Sequence, residues 1–308
     1  MAKYLNILIM CACAVGILSS CGNSSDGNGQ ANDATSNDIL TGNMTVIADE
    51  TVTDLLNQQM DVFKSSYTNS QVELITDLER PAINRLLRGE GQVAILKRKL
   101  TAEEAKGFEQ RSIKPKIFPI AFDAVVFAVS SSVSDSTINF DRISNLLNGS
   151  EKGEQKLLVD NINSSTIRTL QEVSNVNKVS GTNVSELRSA KEVLTALANN
   201  KKGIGVLSYN QYLAMRDSLK AKDKIRILSV SKSANEAAYR PTQTTLGDDT
   251  YPLKQEVYVL NYQPNMGLGI GFSAFLTGDR GQRVVLKYGL LPATMPGREL
   301  IIRDEANF

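Results

Sequence analysis

The 308-residue chain has no histidine and no tryptophan, and its three cysteines, Cys11, Cys13 and Cys21, all lie in the first twenty-one residues. Without histidine it lacks the usual general base, the commonest zinc ligand and every Ser-His or Cys-His nucleophile arrangement. Beyond Cys21 it has no thiol for a disulfide, a thiolate metal site or a cysteine nucleophile. Most enzyme mechanisms are disfavoured on this basis, and the chain reads as a protein without catalytic residues or cofactor. An excess of one charge is also missing: 34 Lys and Arg oppose 33 Asp and Glu. The total therefore offers no strongly basic surface and gives no reason to expect a nucleic-acid partner. What the chain does have is apolar residues at 42% of its length, enough for two domain cores.

The amino terminus reads as an address. Lys3 precedes an apolar run over residues 5–18, interrupted by Asn6. This is short of the roughly 20 residues that a membrane-spanning helix needs, so residues 1–20 read as a signal peptide. The run ends in Leu18-Ser19-Ser20-Cys21, which resembles the processing box of bacterial lipoproteins: an aliphatic residue, two small ones, then the cysteine that is acylated. The alternative is a soluble secreted protein in which Cys21 is incidental. If the box is used, Cys11 and Cys13 leave with the peptide and Cys21 carries the lipid that holds the protein to a membrane. Gly22 stands where an Asp would mark inner-membrane retention in some bacteria, which points toward the outer membrane. Residues 21–43 are the lipidated cysteine and a small, polar tether with too little apolar surface to fold. Setting aside Lys3, Asp26, Asp33 and Asp38 leaves 33 basic and 30 acidic residues, a net of +3.

The body alternates strands and helices. Residues 44–48 form a strand, and Val52, Leu55, Leu56, Met60 and Phe63 follow at helical spacing. Residues 71–75 alternate as a second strand, Pro81 sits where a first helical turn tolerates it, and Gly89 stops that helix. Residues 93–96 are a third strand, and the apolar stretch 116–129, with Pro119 inside it, reads as two strand segments rather than one helix. Further strands are expected at 156–160, 203–207, 225–230 and 256–261, with helices at 140–147, 165–174, 185–199, 268–277 and 280–288. The pattern predicts an α/β fold with mainly parallel mixed sheets, whose ligands sit beyond the carboxyl ends of strands.

Ordered fragments over residues 44–297 resemble the phosphate-binding lipoproteins and periplasmic proteins that feed ABC transporters, a two-lobed Venus flytrap fold. They are the strand, loop and helix at 46–55, LKRKLTAEE at 96–104, the hinge-like stretch 118–129, NSSTIR at 163–168, KGIGVL at 202–207, the hinge return at 251–258 and GQRVVLKYGLLP at 281–292. The resemblance implies lobe one from residues 44–125 plus 246–308, lobe two from 126–245, and a two-strand hinge. It implies a monomer that captures phosphate or a related oxyanion and passes it to a transporter permease. The alternative is a flytrap lipoprotein that has lost tight phosphate binding and serves as an interaction module or binds another small ligand.

A dehydrated oxyanion needs hydrogen-bond donors, which helix N-termini, hydroxyls and arginines supply. The best local match is the polar loop 160–164 leading into Ser164-Ser165-Thr166-Ile167-Arg168. A bland alternative is an N-cap made by Ser164 or Ser165 with Arg168 in solvent. The resemblance places Thr51 and Arg98 opposite this loop, although Arg98 also belongs to the run Lys97-Arg98-Lys99, which reads equally as a solvated loop. Two departures stand out. Asp49 and Glu50 occupy a loop where the family has small hydroxyl residues, and Thr76-Asp77-Leu78-Glu79-Arg80 replaces a glycine- and serine-rich loop. Carboxylates there oppose an anion, unless Asp49 accepts the proton of hydrogen phosphate, as the resemblance allows. Three other motifs carry no chemistry in this reading. The glycines at 267, 269 and 271 lack phosphate-loop spacing, Ser229 and Lys232 lie in a strand, and Asp248-Asp249 is a turn pair.

Overall fold

The computed structural model describes residues 39–199, 202–216 and 223–297; the signal peptide, Cys21 and most of the tether lie outside the described residues. Strand β1 (Gly42–Asp49) runs from exposed to fully buried and feeds a single 3-10 turn, Glu50–Val52. Helix α1 (Thr53–Ser66) buries Leu55, Leu56, Met60 and Phe63, the stripe its spacing predicts. Then come β2 (Ser70–Asp77), α2 (Glu79–Leu87) with Pro81 in its first turn, and β3 (Val93–Leu96), buried throughout. Gly89, with φ of +77°, makes the left-handed turn that ends α2. Helix α3 (Ala102–Gln110) starts on a capping box between Thr101 and Glu104.

The long strand β4 (Lys116–Ser130) is followed by β5 (Thr137–Asn139), α4 (Phe140–Asn148), β6 (Leu157–Val159) and α5 (Ser165–Ser174). The helix expected over 185–199 is shorter. Residues Val184–Glu186 form β7, and α6 (Ala190–Ala198) begins after Ser189, whose hydroxyl accepts the Glu192 amide. After β8 (Ile204–Ser208) and α7 (Tyr209–Arg216), the strand expected at 225–230 is two: β9 (Ile225–Ile227) pairs with β4, and β10 (Ser229–Ser231) with β5. The chain closes with α8 (Gln243–Gly247), β11 (Lys254–Asn261), α9 (Leu268–Thr277), α10 (Asp279–Tyr288) and β12 (Leu291–Pro292).

One ten-stranded mixed sheet threads the molecule in the order β2-β1-β3-β11-β4-β8-β6-β7, with β9 and β12 pairing along β4. Parallel pairs occupy both flanks, while β4 and β11 run antiparallel to their neighbours in the middle. Strand β4 is continuous, and the two segments expected from Pro119 survive as a change of partner. Its first part pairs with β11, with a register shift where Val257 faces Ala121 and Tyr258 faces Pro119; its last part pairs with β8 and β9. A bulge at that point suits a proline, which cannot donate to the ladder. Each half has its own core on both sheet faces: Leu55, Phe63, Val93 and Phe272 in the first, Phe127, Ile143, Leu170 and Val206 in the second. Full burial of each such side chain contributes roughly 1.5–3 kcal/mol. The glycines at the start of α9 serve packing: a Cβ on Gly271 would collide with the Ile39 carbonyl, and one on Gly269 would meet the Val93 side chain at 2.9 Å.

Candidate functional site

The carboxyl ends of β1, β6 and β8 bring their following turns to one place, where the two halves of the sheet face each other. Asp49, the last residue of β1, caps the 3-10 turn by accepting the Thr51 amide (2.8 Å) and the Thr51 hydroxyl (2.7 Å) on Oδ1. That hydroxyl lies 3.3 Å from the Ser165 hydroxyl, 114 residues away at the opening of α5. The Thr51 carbonyl accepts from Ser208 Oγ (3.2 Å) and Asn210 Nδ2 (2.7 Å), at the end of β8 and start of α7. Asp49, Thr51, Ser164, Ser165, Thr166, Ser208 and Asn210 are all buried. Three of their atoms have no hydrogen-bond partner: Asp49 Oδ2, Thr166 Oγ1 and Asn210 Oδ1. A buried polar atom without a partner costs about 1–3 kcal/mol, which a ligand able to complete it can recover.

Helix α5 supplies the donors of this centre. Ser164 is its N-cap, accepting the Ile167 amide at 3.4 Å, so the N-cap role and a place at the cleft coexist in one residue. The first helical amides, of Ser165 and Thr166, are among those a helix leaves without internal partners, and they bring the positive end of the helix dipole to the cleft.

The expected arginines stand beside this centre and share one carboxylate. Arg98 Nε lies 3.0 Å from Glu79 Oε1, and its two terminal nitrogens reach Glu104 at 2.7 and 2.8 Å. Arg168 reaches the same Glu79 from the other half of the molecule, at 2.8 Å, and also holds Glu172. Arg168 is therefore not simply a solvent-facing residue behind an N-cap. The Arg98 hydrogen bonds pull the Glu104 carboxyl down to about 2. Lys97, read from sequence as part of a basic run, is buried with its ammonium 2.8 Å from Asp123 Oδ2 and 3.2 Å from Gln255 Oε1. Asp123, in β4, also accepts from Ser208 Oγ (2.7 Å) and the Asn210 amide (3.0 Å). The site and the strand crossing between the halves thus share hydrogen bonds.

The carboxylates that depart from the family pattern face inward. Partial burial, reinforced by Asp160, Asp49 and Asp77, pushes the Glu50 carboxyl up to about 7. Asp160, at the end of β6, is also raised by burial, against the stabilising hydrogen bond from Gln211 (2.9 Å) and the field of Lys97. The structure gathers Asp49, Thr51, Ser164, Ser165 and Thr166 in one buried centre and sets Arg98 and Arg168 beside it on Glu79. Sequence reading missed Ser208 and Asn210. The signal for them was their position just past the buried strand 204–207, at a strand's carboxyl end.

A centre built at strand ends between two α/β halves is that of a binding protein, and residues 29–280 match the PBP superfamily domain; the chain belongs to that family. It is 21% identical over 291 residues to the phosphate-binding protein PstS of Pseudomonas aeruginosa, covering 86% of this chain and 87% of that one. It is 23% identical over 257 residues to PstS of Staphylococcus aureus, covering 79% and 73%. Among solved structures, a putative phosphate ABC transporter substrate-binding protein with bound phosphate from Clostridium perfringens superposes with a TM-score of 0.67 at 14% identity, over 82% of this chain and all of that one. An ABC-type phosphate transport receptor from Vibrio cholerae does so with a TM-score of 0.63 at 16% identity, over 82% and all, respectively. The α/β class and the two-lobed periplasmic binding protein fold expected from sequence are those of these structures.

Proposed function

We propose that the chain is a substrate-binding lipoprotein of an ABC transporter that captures phosphate or a related oxyanion between two lobes. The observation that carries this reading is the meeting of Thr51 with Ser165 at 3.3 Å from opposite halves, beside a buried Thr166 hydroxyl that has no partner. Only a closed arrangement lets both halves donate to one anion, so binding and closure are one event. In this reading lobe one is residues 44–125 plus 246–308 and lobe two is 126–245. The protein is a monomer held through Cys21 to an envelope membrane, the outer one preferred, facing the periplasm, and it meets a permease partner. It has no catalytic role.

The test is calorimetry of the purified full-length protein in detergent with phosphate, sulfate and molybdate. Saturable heat with one of them is expected, and ligand at 100 times its dissociation constant should add about 2.7 kcal/mol of stability. A second reading is favoured by the engagement of both arginines on Glu79 and by the inward carboxylates. In it, the flytrap has given up tight phosphate binding for another small ligand or for an interaction role. Absence of heat and of thermal shift with all three anions supports that reading.

A further inference from the structure

One carboxylate, that of Glu79, stands between two groups suited to a bound anion. Its side chain is 3% exposed and reaches a guanidinium from each half of the molecule. Arg168 holds it as a fork, with Nε 2.8 Å from Oε1 and Nη2 donating to Oε2 at 3.0 Å. Arg98 closes the other side, donating from Nε to Oε1 at 3.0 Å. A guanidinium fork fits carboxylate and phosphate alike, because both offer paired oxygens. Glu79 also lines the cavity of about 270 Å³ at the opening of α5, with Arg80, Asn163, Ser164 and Arg168. Among the described residues lining it, Glu79 is the one acid, beside two arginines. The loop that carries it, 76–80, stands where the family resemblance expects glycine and serine, so an acceptor bearing the ligand's own sign of charge replaces neutral donors. The carboxylate also has somewhere to go. Glu79 is the first residue of α2, and the N-cap Leu78 makes no side-chain hydrogen bond to that helix. Turned away from the arginines, the carboxylate stays near opening amides that favour negative charge.

We infer that Arg98 and Arg168 form an oxyanion site that Glu79 fills from within, and that a ligand binds there by displacing this carboxylate. This rests on the oxyanion reading above and adds to it the control of affinity at the same site. The seated carboxylate bridges the two halves without a ligand. Only the unseated fraction binds, so the apparent affinity falls in proportion to that fraction. A ligand that takes the place of Glu79 takes over its bridge, and the halves stay joined.

The experiment is calorimetry of the purified full-length protein in detergent, and of two variants, with inorganic phosphate, sulfate and molybdate. Glu79→Gln keeps the size of the side chain and removes the competing charge, and it should bind the preferred anion about tenfold more tightly than the parent. Glu79→Asp keeps the charge but is one methylene too short to reach both arginines, and it should tighten binding about threefold. A gain in Glu79→Gln without one in Glu79→Asp overturns the inference, because loss of charge alone then accounts for it. Equal or weaker binding by Glu79→Gln, with a parent that binds, also overturns it and leaves the oxyanion reading standing. A silent parent beside a Glu79→Gln variant that binds supports it, since the internal carboxylate then excludes the ligand. If Glu79→Gln does not fold, Glu79→Asp decides by the same gain or its absence. No binding by any of the three proteins overturns both readings.

Discussion

At the residue scale the site mixes groups whose roles separate experimentally. Glu50 binds its proton more tightly folded, at about 7, than at the ordinary carboxylate value of 4.5. Its protonated form therefore favours the folded state, fully so below pH 4.5, and that advantage is lost as the pH rises through 7. Glu50→Gln should flatten this part of the stability curve. It should raise the melting temperature at pH 8 by roughly 2–4 °C, taking about 1 kcal/mol after discounting for solvent screening; differential scanning calorimetry between pH 4 and 8 reads both effects. Thr166 is the opposite case, since its buried hydroxyl has no hydrogen-bond partner. Thr166→Val removes that unpaired hydroxyl and should raise stability by about 1 kcal/mol, while calorimetric affinity for any ligand held at the start of α5 falls by about tenfold, the ~1.4 kcal/mol of one lost hydrogen bond. Ser164, Ser165 and Thr166 were legible because hydroxyl-rich openings of helices have a local signature, whereas Thr51, behind Asp49 and Glu50, was pointed to only by the family resemblance. Lys97 was not legible. Nothing in Lys97-Arg98-Lys99 tells which of three cations turns inward, because that depends on Asp123 and Gln255, distant in sequence but paired across β11 and β4.

At the scale of elements, local rules went furthest where a segment carries its own start and stop. Helix α1 shows its stripe, α2 its Pro81 and Gly89, and α5 its serine cap. Ser164→Ala should cost about 1 kcal/mol by loss of the cap, and it should also weaken ligand binding at the same helix opening; chemical denaturation paired with calorimetry measures the two together. The capping box of α3, Thr101 and Glu104, was also present in the sequence. The short pieces were less legible. Strands β5, β7 and β12 are two or three residues long, too brief for a period to show, and they exist because a longer neighbour offers them a ladder. Strand β4 passes through both halves without a break although Pro119 interrupts its pattern, since β11 absorbs the proline in a bulge.

At the scale of the whole molecule, Glu79 is the joint between halves. Its carboxylate is 3% exposed and holds Arg98 from one side and Arg168 from the other. Glu79→Gln keeps the shape and removes the charge, and the two guanidinium groups then face each other with only Glu104 and Glu172 to balance them. The unliganded protein should lose about 1–3 kcal/mol of stability and open; small-angle scattering should show a larger radius of gyration than the parent, and an unchanged radius would remove Glu79 from this role.

The sequence by itself determined the class of structure and the kind of chemistry. Alternating periods of two and 3.6 impose an α/β architecture, and the lack of histidine and of thiols beyond Cys21 removes imidazole and thiolate chemistry from the body. Those conclusions need only neighbours along the chain. Which charges remain available at the cleft was decided by tertiary structure alone. Ion pairing is a property of distance, and Glu79 with Arg168, Lys97 with Asp123, and Asp49 through Thr51 with Ser165 become neighbours only when the sheet brings turns distant in sequence, up to 159 residues apart, to one place.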